Sequence, residues 1–453
     1  MRTSPRIAAR WIAVRWIFGL GLLAGLAGCE TLESLDFTGG KNTPPLPGER
    51  ISVLALERQI EPDPRIADLE VRLPRPWANP EWPQSGGYAN HVMHHLELAG
   101  DLKQVWRTSI GASGGAAKRI TGSPVVADGR VFAMDAEGEV SAYDAARGSR
   151  LWRRDLTPNS EDSGAIGGGV AFDRGRLYAT TAYGEVFALD PANGNVVWQQ
   201  KVGVPVRGAP AVEGNRVFVI THDNQMRALE ADTGKEVWAF TGIAETAGLL
   251  GGAVPAVEGG IVVAPFSSGE LVALRTDNGT VAWSDALVRA ARVSPVGTIN
   301  DIAGSPVIDR GRVYALSHSG RMVSIDLRTG ERIWEREIAG VQSPWVAGDF
   351  IFVVTLDAEV VCLSRRDGRI RWVTQLDRFR NPEAKSRKGL LTWYGPVLAS
   401  DRLLLTSSHG QGVSLSPYNG DVLGKTKLSG NAAMPPVVAG ETLFILTDDA
   451  NLA

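Results

Sequence analysis

From Gln104 onward, apolar and polar residues alternate in short runs separated by turn signals, as in Arg312-Val-Tyr-Ala-Leu-Ser317 and Met322-Val-Ser-Ile-Asp326. Alternation with period two puts every second side chain on the same face, so these runs predict β-strands rather than helices. Glycine, Asn and Asp punctuate them at intervals suited to antiparallel hairpins. The runs belong to a larger repeat of about forty residues. Its clearest copies are Gly304–Ile338 and Gly208–Phe240, with others beginning at Gly122, Gly169, Pro255, Ser343 and Gly395 and an incomplete one at Met434. Four short strands per unit at that period predict an all-β fold, an eight-bladed β-propeller of four-stranded antiparallel blades.

The two ends of the repeat predict how the ring closes. The first tryptophan unit has an outer strand alone, Gln104–Ser109, and the unit from Met434 has inner strands without an outer one. The N-terminal outer strand is therefore expected to pair with the C-terminal blade, which removes the open edge.

Within each unit runs the motif A-x-[D/E]-x-x-[T/N]-G-x-x-x-W, clearest in Ala188–Trp198 and Ala228–Trp238. The tryptophans fall at 106, 152, 198, 238, 283, 334 and 372, and Gly424 occupies the eighth position. The polar residue before glycine satisfies turn backbone groups, and glycine supplies positive φ. Tryptophan at the start of the outer strand is expected to bury its ring between neighbouring blades. Spacing that follows the fold this strictly reads as a packing girdle, not a row of ligand platforms.

The N-terminus departs from the pattern. Four arginines (Arg2, Arg6, Arg10, Arg15) precede the apolar run Trp16–Ala27. That is an export signal, too short to span a bilayer as a mature helix. Leu26-Ala27-Gly28-Cys29 resembles a bacterial lipobox, making residues 1–28 a lipoprotein signal peptide and Cys29 the lipidated N-terminus. Attached acyl chains (palmitate among them) would anchor it stably. Glu30 stands where an inner-membrane-retained lipoprotein usually carries Asp, which favours the outer membrane, on its periplasmic side. Residues 29–95 are assigned to a proline-rich, partly extended tether, within which Trp77–Gln84 is expected to reach the propeller rim, and residues 96–453 to the propeller.

Removing residues 1–28 takes away four arginines and no acid, so the formal charge of −3 becomes −7. A mildly acidic surface argues against nucleic acid as the principal partner. With Cys29 acylated, Cys362 is the one remaining thiol; it lies in an apolar strand pattern and is expected to be buried and inert. His91, His94 and His95 lack a carboxylate or cysteine at zinc-site spacing and read as partly exposed surface histidines. Gly111–Gly115 and Gly167–Gly169 match no phosphate-binding signature and read as flexible connections between blades. The crossings from one blade to the next emerge on one face. Those at Leu156–Gly167, Ala286–Gly304 and Leu376–Gly395 are long, marking that face as the expected binding face.

The repeat resembles the tryptophan-docking motif of quinoprotein dehydrogenases, whose ring holds pyrroloquinoline quinone and calcium. The adjacent cysteines, metal-ligand cluster and large insertions of those enzymes have no counterpart here, so no cofactor, metal or catalytic residue is expected. Lipobox, tether and eight-bladed ring together resemble the BamB family, lipoproteins of the outer-membrane β-barrel assembly machine. Val204-Pro-Val-Arg-Gly208 is similar to the stretch through which that family grips a periplasmic POTRA domain of BamA, and Asp301-Ile-Ala-Gly-Ser-Pro306 to the family's D-V-D-x-x-P. The resemblance implies partner-contact roles for Val204, Val206, Arg207 and Asp301; the second aspartate of the motif is Ala303 here. It also implies a non-catalytic scaffold serving unfolded outer-membrane proteins. The alternative is a quinoprotein-like or carbohydrate-binding periplasmic propeller.

Overall fold

The computed structural model describes residues 60–453, apart from 116–117, 159–165, 246–247, 250–251, 289–298 and 382–388. The signal peptide, Cys29 and the tether up to residue 59 lie outside the described residues, as do the middle parts of the three long crossings. Seven sheets of four sequential antiparallel strands follow one another along the chain. They form blades 1 to 7, spanning residues 125–155, 168–201, 211–241, 256–286, 307–336, 345–375 and 393–427.

Blade 8 is assembled from both ends of the described chain. Val437–Ala439 pairs with Thr442–Phe444, Ile445 and Ala453 exchange two backbone hydrogen bonds, and Thr108–Ser109 adds antiparallel to Asn451–Leu452. The expected closure is observed, and Leu452 is fully buried at the junction.

In each of blades 1 to 7 the third and fourth strands slip by one residue at the same place, for example between Ala188 and Leu189. The bulged residues, Leu151, Val197, Val237, Ile333 and Leu423 among them, are 41–54% exposed. The bulge turns the next residue, the tryptophan, toward the neighbouring blade. The alanine that opens the motif sits directly opposite that ring (Ala188 against Trp198, Ala228 against Trp238) and leaves room for it. Every indole then donates to a carbonyl in the next blade's last turn: Trp152 to Pro191 at 2.9 Å, Trp198 to Ala231 at 2.9 Å, Trp283 to Leu327 at 2.7 Å. The turn glycine lies beneath the ring. A Cβ at Gly194, Gly234 or Gly330 would stand 2.5 Å from Trp152, Trp198 or Trp283. Thus glycine is required twice over, for φ near +70° and for the docked indole.

Gly424 falls into place for the same reason. Its blade faces blade 8, whose third and fourth strands belong to opposite ends of the chain and share no turn. An indole there would have no turn to dock on.

Residues 60–95 depart from the tether assignment, because they are held against the ring. Asp63 N donates to Ile370 O at 2.8 Å, and the segment 79–96 then crosses the face that carries the turns between first and second strands. It bonds to every blade in turn. Trp82 exchanges two backbone bonds with Val126, Phe172 N donates to Pro83 O, and the Gln84 amide pairs with both backbone groups of Val212. Val257 N donates to Ala89 O and Ile308 N to Asn90 O; Trp345 Nε1 donates to His94 O, Leu96 N to Leu398 O, and Asn79 Nδ2 to Val438 O. These positions lie on innermost strands, so the segment covers one mouth of the central channel. Trp82, at 3% exposure, stacks on Trp345 with centroids 6.2 Å apart.

Two further expectations change. His91 and His95 are buried, not on the surface: His91 Nδ1 meets Pro306 O and His95 Nδ1 meets Pro74 O, each at 2.7 Å. Burial holds His91 down to about 4. Gly169 is no flexible linker residue, since a Cβ at Gly122 would stand 2.8 Å from its Cα and its own Cβ would meet that of Ala209 at 2.8 Å. It lets inner strands of blades 1 to 3 approach closely. Cys362 is fully buried as expected, and desolvation pushes its thiol well above its ordinary value.

Candidate functional site

The crossings between blades lie on the face opposite the covering segment. Arg207 belongs to the crossing into blade 3, Leu249 and Gly252 to that into blade 4, and Asp301 to that into blade 5. Backbone pairing fixes the first: Arg207 N donates to Ile220 O at 3.0 Å, His222 N to Pro205 O at 2.8 Å, and Val206 bridges Thr221. From that position Arg207 Nη2 donates to both carboxylate oxygens of Asp301, at 3.0 and 2.8 Å. Leu249 N donates to the same carboxylate at 2.8 Å, and His318 N to the Asp301 carbonyl at 3.0 Å. One buried aspartate therefore ties three consecutive crossings together.

The side chains of this pair are 3% and 0% exposed. Two desolvated charges persist only when paired and hydrogen-bonded, so each holds the other in place. Gly252 completes the packing, since a Cβ there would stand 2.5 Å from that of Arg207. Hydrophobic positions surround the pair. Val206 is fully buried, Val204 is half-buried and Pro205 exposed; Ile243, across the loop Thr221–Asn224, is 59% exposed. The sequence motifs thus bring Arg207 and Asp301 together as partners of each other, and of the four expected contact residues Val204 is the one that reaches solvent. Leu249 and Gly252 were not legible as site residues, because they belong to neither motif and join the pair through a backbone amide and a missing side chain.

A family profile described as "Outer membrane protein assembly factor BamB" covers residues 99–155 and 136–374. The chain belongs to the BamB family. The family member of Burkholderia pseudomallei (strain K96243) is 30% identical over 356 residues, 78% of this chain and 87% of the relative. With other BamB relatives the chain spans about half their length, 58% and 41% in two cases. The crystal structure of BamB from Moraxella catarrhalis superposes with a TM-score of 0.60 at 21% identity, covering 77% of this chain and 97% of that one. A europium-containing methanol dehydrogenase superposes with 0.63 at 15% identity, covering 82% and 88%. At such identities both likenesses establish the propeller alone and do not separate scaffold from enzyme. Among the described residues no three His, Cys, Asp or Glu side chains are grouped to hold a metal ion, and Cys362 has no adjacent cysteine. The described residues therefore do not group into the metal-ligand cluster that the resemblance to quinoprotein dehydrogenases would call for.

Proposed function

We propose that this BamB-family chain is a non-catalytic scaffold in outer-membrane protein assembly. It is anchored through Cys29 on the periplasmic side of the outer membrane and docks on a periplasmic POTRA domain of BamA, assisting folding and insertion of outer-membrane proteins. The observation that carries this reading is the buried Arg207–Asp301 pair, which fixes three crossings on a face that leaves Val204, Pro205 and Ile243 accessible. Rigid apolar positions beside a buried ion pair suit a docking hot spot, because little conformational entropy is lost on binding. Val204 makes partner contact in this scheme. Val206, Arg207 and Asp301 hold it in position. The test is calorimetric titration of the chain beginning after residue 28 with the periplasmic domains of the same organism's BamA. Val204→Asp and Ile243→Asp are expected to weaken binding at least tenfold, with circular dichroism unchanged. Wild-type affinity in both variants would move the docking face elsewhere, and no binding by the folded wild type would reject the reading.

A further inference from the structure

The repeat contains its own comparison for a second surface. In each blade the outer strand carries side chains one and three positions after the tryptophan site, and in every blade of four sequential strands except blade 5, where Met322 pairs with Arg336, the second of these pairs in register with the start of the third strand. Blade 2 places Lys201 opposite Glu185 there, with nitrogen and oxygen 3.7 Å apart. Blades 1, 4 and 6 keep an acid at that start, Glu139, Glu270 and Glu359. Blade 3 has neutral Gln225 there opposite neutral Thr241, whereas blade 7 sets a cation against a neutral residue. It has lysines at both outer-strand positions, Lys425 and Lys427, and the residue opposite Lys427 is neutral Gln411.

These lysines open onto a groove of about 440 Å³, also lined by Arg380, His409, Phe379 and Leu391. Asp377 takes up one charge, accepting from Lys425 Nζ at 3.2 Å. The Arg380 guanidinium and the Lys427 ammonium have no partner among the described residues. A net positive concavity thus stands in a chain of formal charge −3. The strand beside it, Val422–Lys427, is exposed at all six positions and is paired along one edge only, with Gln411–Leu415. Every outer strand is a sheet edge in this way, and what blade 7 lacks is the docked tryptophan, Gly424 standing in its place. Elsewhere the outer strand buries one ring in the next blade.

We infer that this groove binds an extended acidic peptide segment, its carboxylates on Lys427 and Arg380 and an apolar side chain against Phe379 and Leu391. The free strand edge offers such a ligand backbone partners as well. This surface is distinct from the crossing between blades 3 and 5, so the inference stands apart from the proposed docking on BamA.

The experiment is fluorescence anisotropy of the full mature chain with a labelled peptide of alternating glutamate and valine, beside its glutamine analogue. The glutamate peptide should bind at least tenfold more tightly, and salt should weaken it. Arg380→Gln and Lys427→Gln should each weaken binding by about three- to tenfold. The decisive variant is Gln411→Glu, which restores the acid found in blade 2. It should weaken binding as much as Lys427→Gln while leaving the melting curve unchanged. Equal binding of the glutamine peptide, or wild-type binding by Gln411→Glu, overturns the inference. Displacement of the peptide by inorganic phosphate at constant ionic strength would overturn it too, assigning the groove to small anions instead.

Discussion

Replacing Arg207 by Met removes the cation and keeps most of the side-chain volume. Asp301 then remains as a carboxylate at 0% exposure with one neighbouring donor, the Leu249 amide at 2.8 Å. Removing one partner of a buried pair costs about 3–5 kcal/mol, because the survivor is left desolvated and uncompensated. Replacing both partners by apolar groups of similar volume is about neutral or better. The cost should be local, since the pair joins three crossings and no core strand. Amide exchange at Leu249 is the suitable assay, as it reads local opening without assuming two-state unfolding of eight blades. At about 1.4 kcal/mol per decade, Arg207→Met should speed Leu249 exchange on the order of a hundredfold or more. The double variant Arg207→Met/Asp301→Leu should recover most of the protection that is not owed to the Asp301 hydrogen bond itself. Exchange in Arg207→Met within threefold of wild type would refute the argument that the pair holds the crossings. The double variant also separates positioning from contact. If it binds BamA as wild type does, Arg207 acts through the loop.

Other consequences are open to measurement. Gly311 and Gly330 share φ near +73° and +75°, but a Cβ is free of neighbours at the first and 2.5 Å from Trp283 at the second. Gly311→Ala should cost about 1–2 kcal/mol for the left-handed backbone, and Gly330→Ala a further 1–3 kcal/mol or about that for overpacking; equal thermal shifts would contradict the docking role. A chain beginning at residue 97 loses hydrogen bonds to all eight blades and uncovers Trp345 and Val126. Its melting temperature should fall by at least about 4 °C relative to a chain beginning at residue 60, with new binding of a hydrophobic dye; a coincident melt would show the segment to be an accessory. His91 titrates near 4 when folded against about 6.5 unfolded, so the unfolded chain takes up the proton first. Stability should fall by up to about 3 kcal/mol between pH 6.5 and pH 4, and that component should vanish in His91→Gln.

The strand periodicity, the number of blades, the closure and the tryptophan–glycine spacing were all legible along the chain. Each rests on contacts between neighbouring repeats, so a period of about forty residues carries the three-dimensional information in one dimension. Even Gly424 was visible as an irregularity, although its reason required the split blade. The covering segment was not legible. Prolines at 74, 76, 80 and 83 mark irregular backbone, and irregular backbone reads as a tether unless its hydrogen-bond partners are known. Those partners are on innermost strands as distant as Val438, 359 residues from Asn79. Arg207 and Asp301 were recognisable as a pair of motifs on one face, but their mutual burial was not, because a motif gives residue types and spacing and says nothing of solvent access. Burial is set by what packs over a side chain. At this site that cover comes from the crossing into blade 4, whose Gly252 and Leu249 amide meet the pair only once blades 3 to 5 have packed side by side.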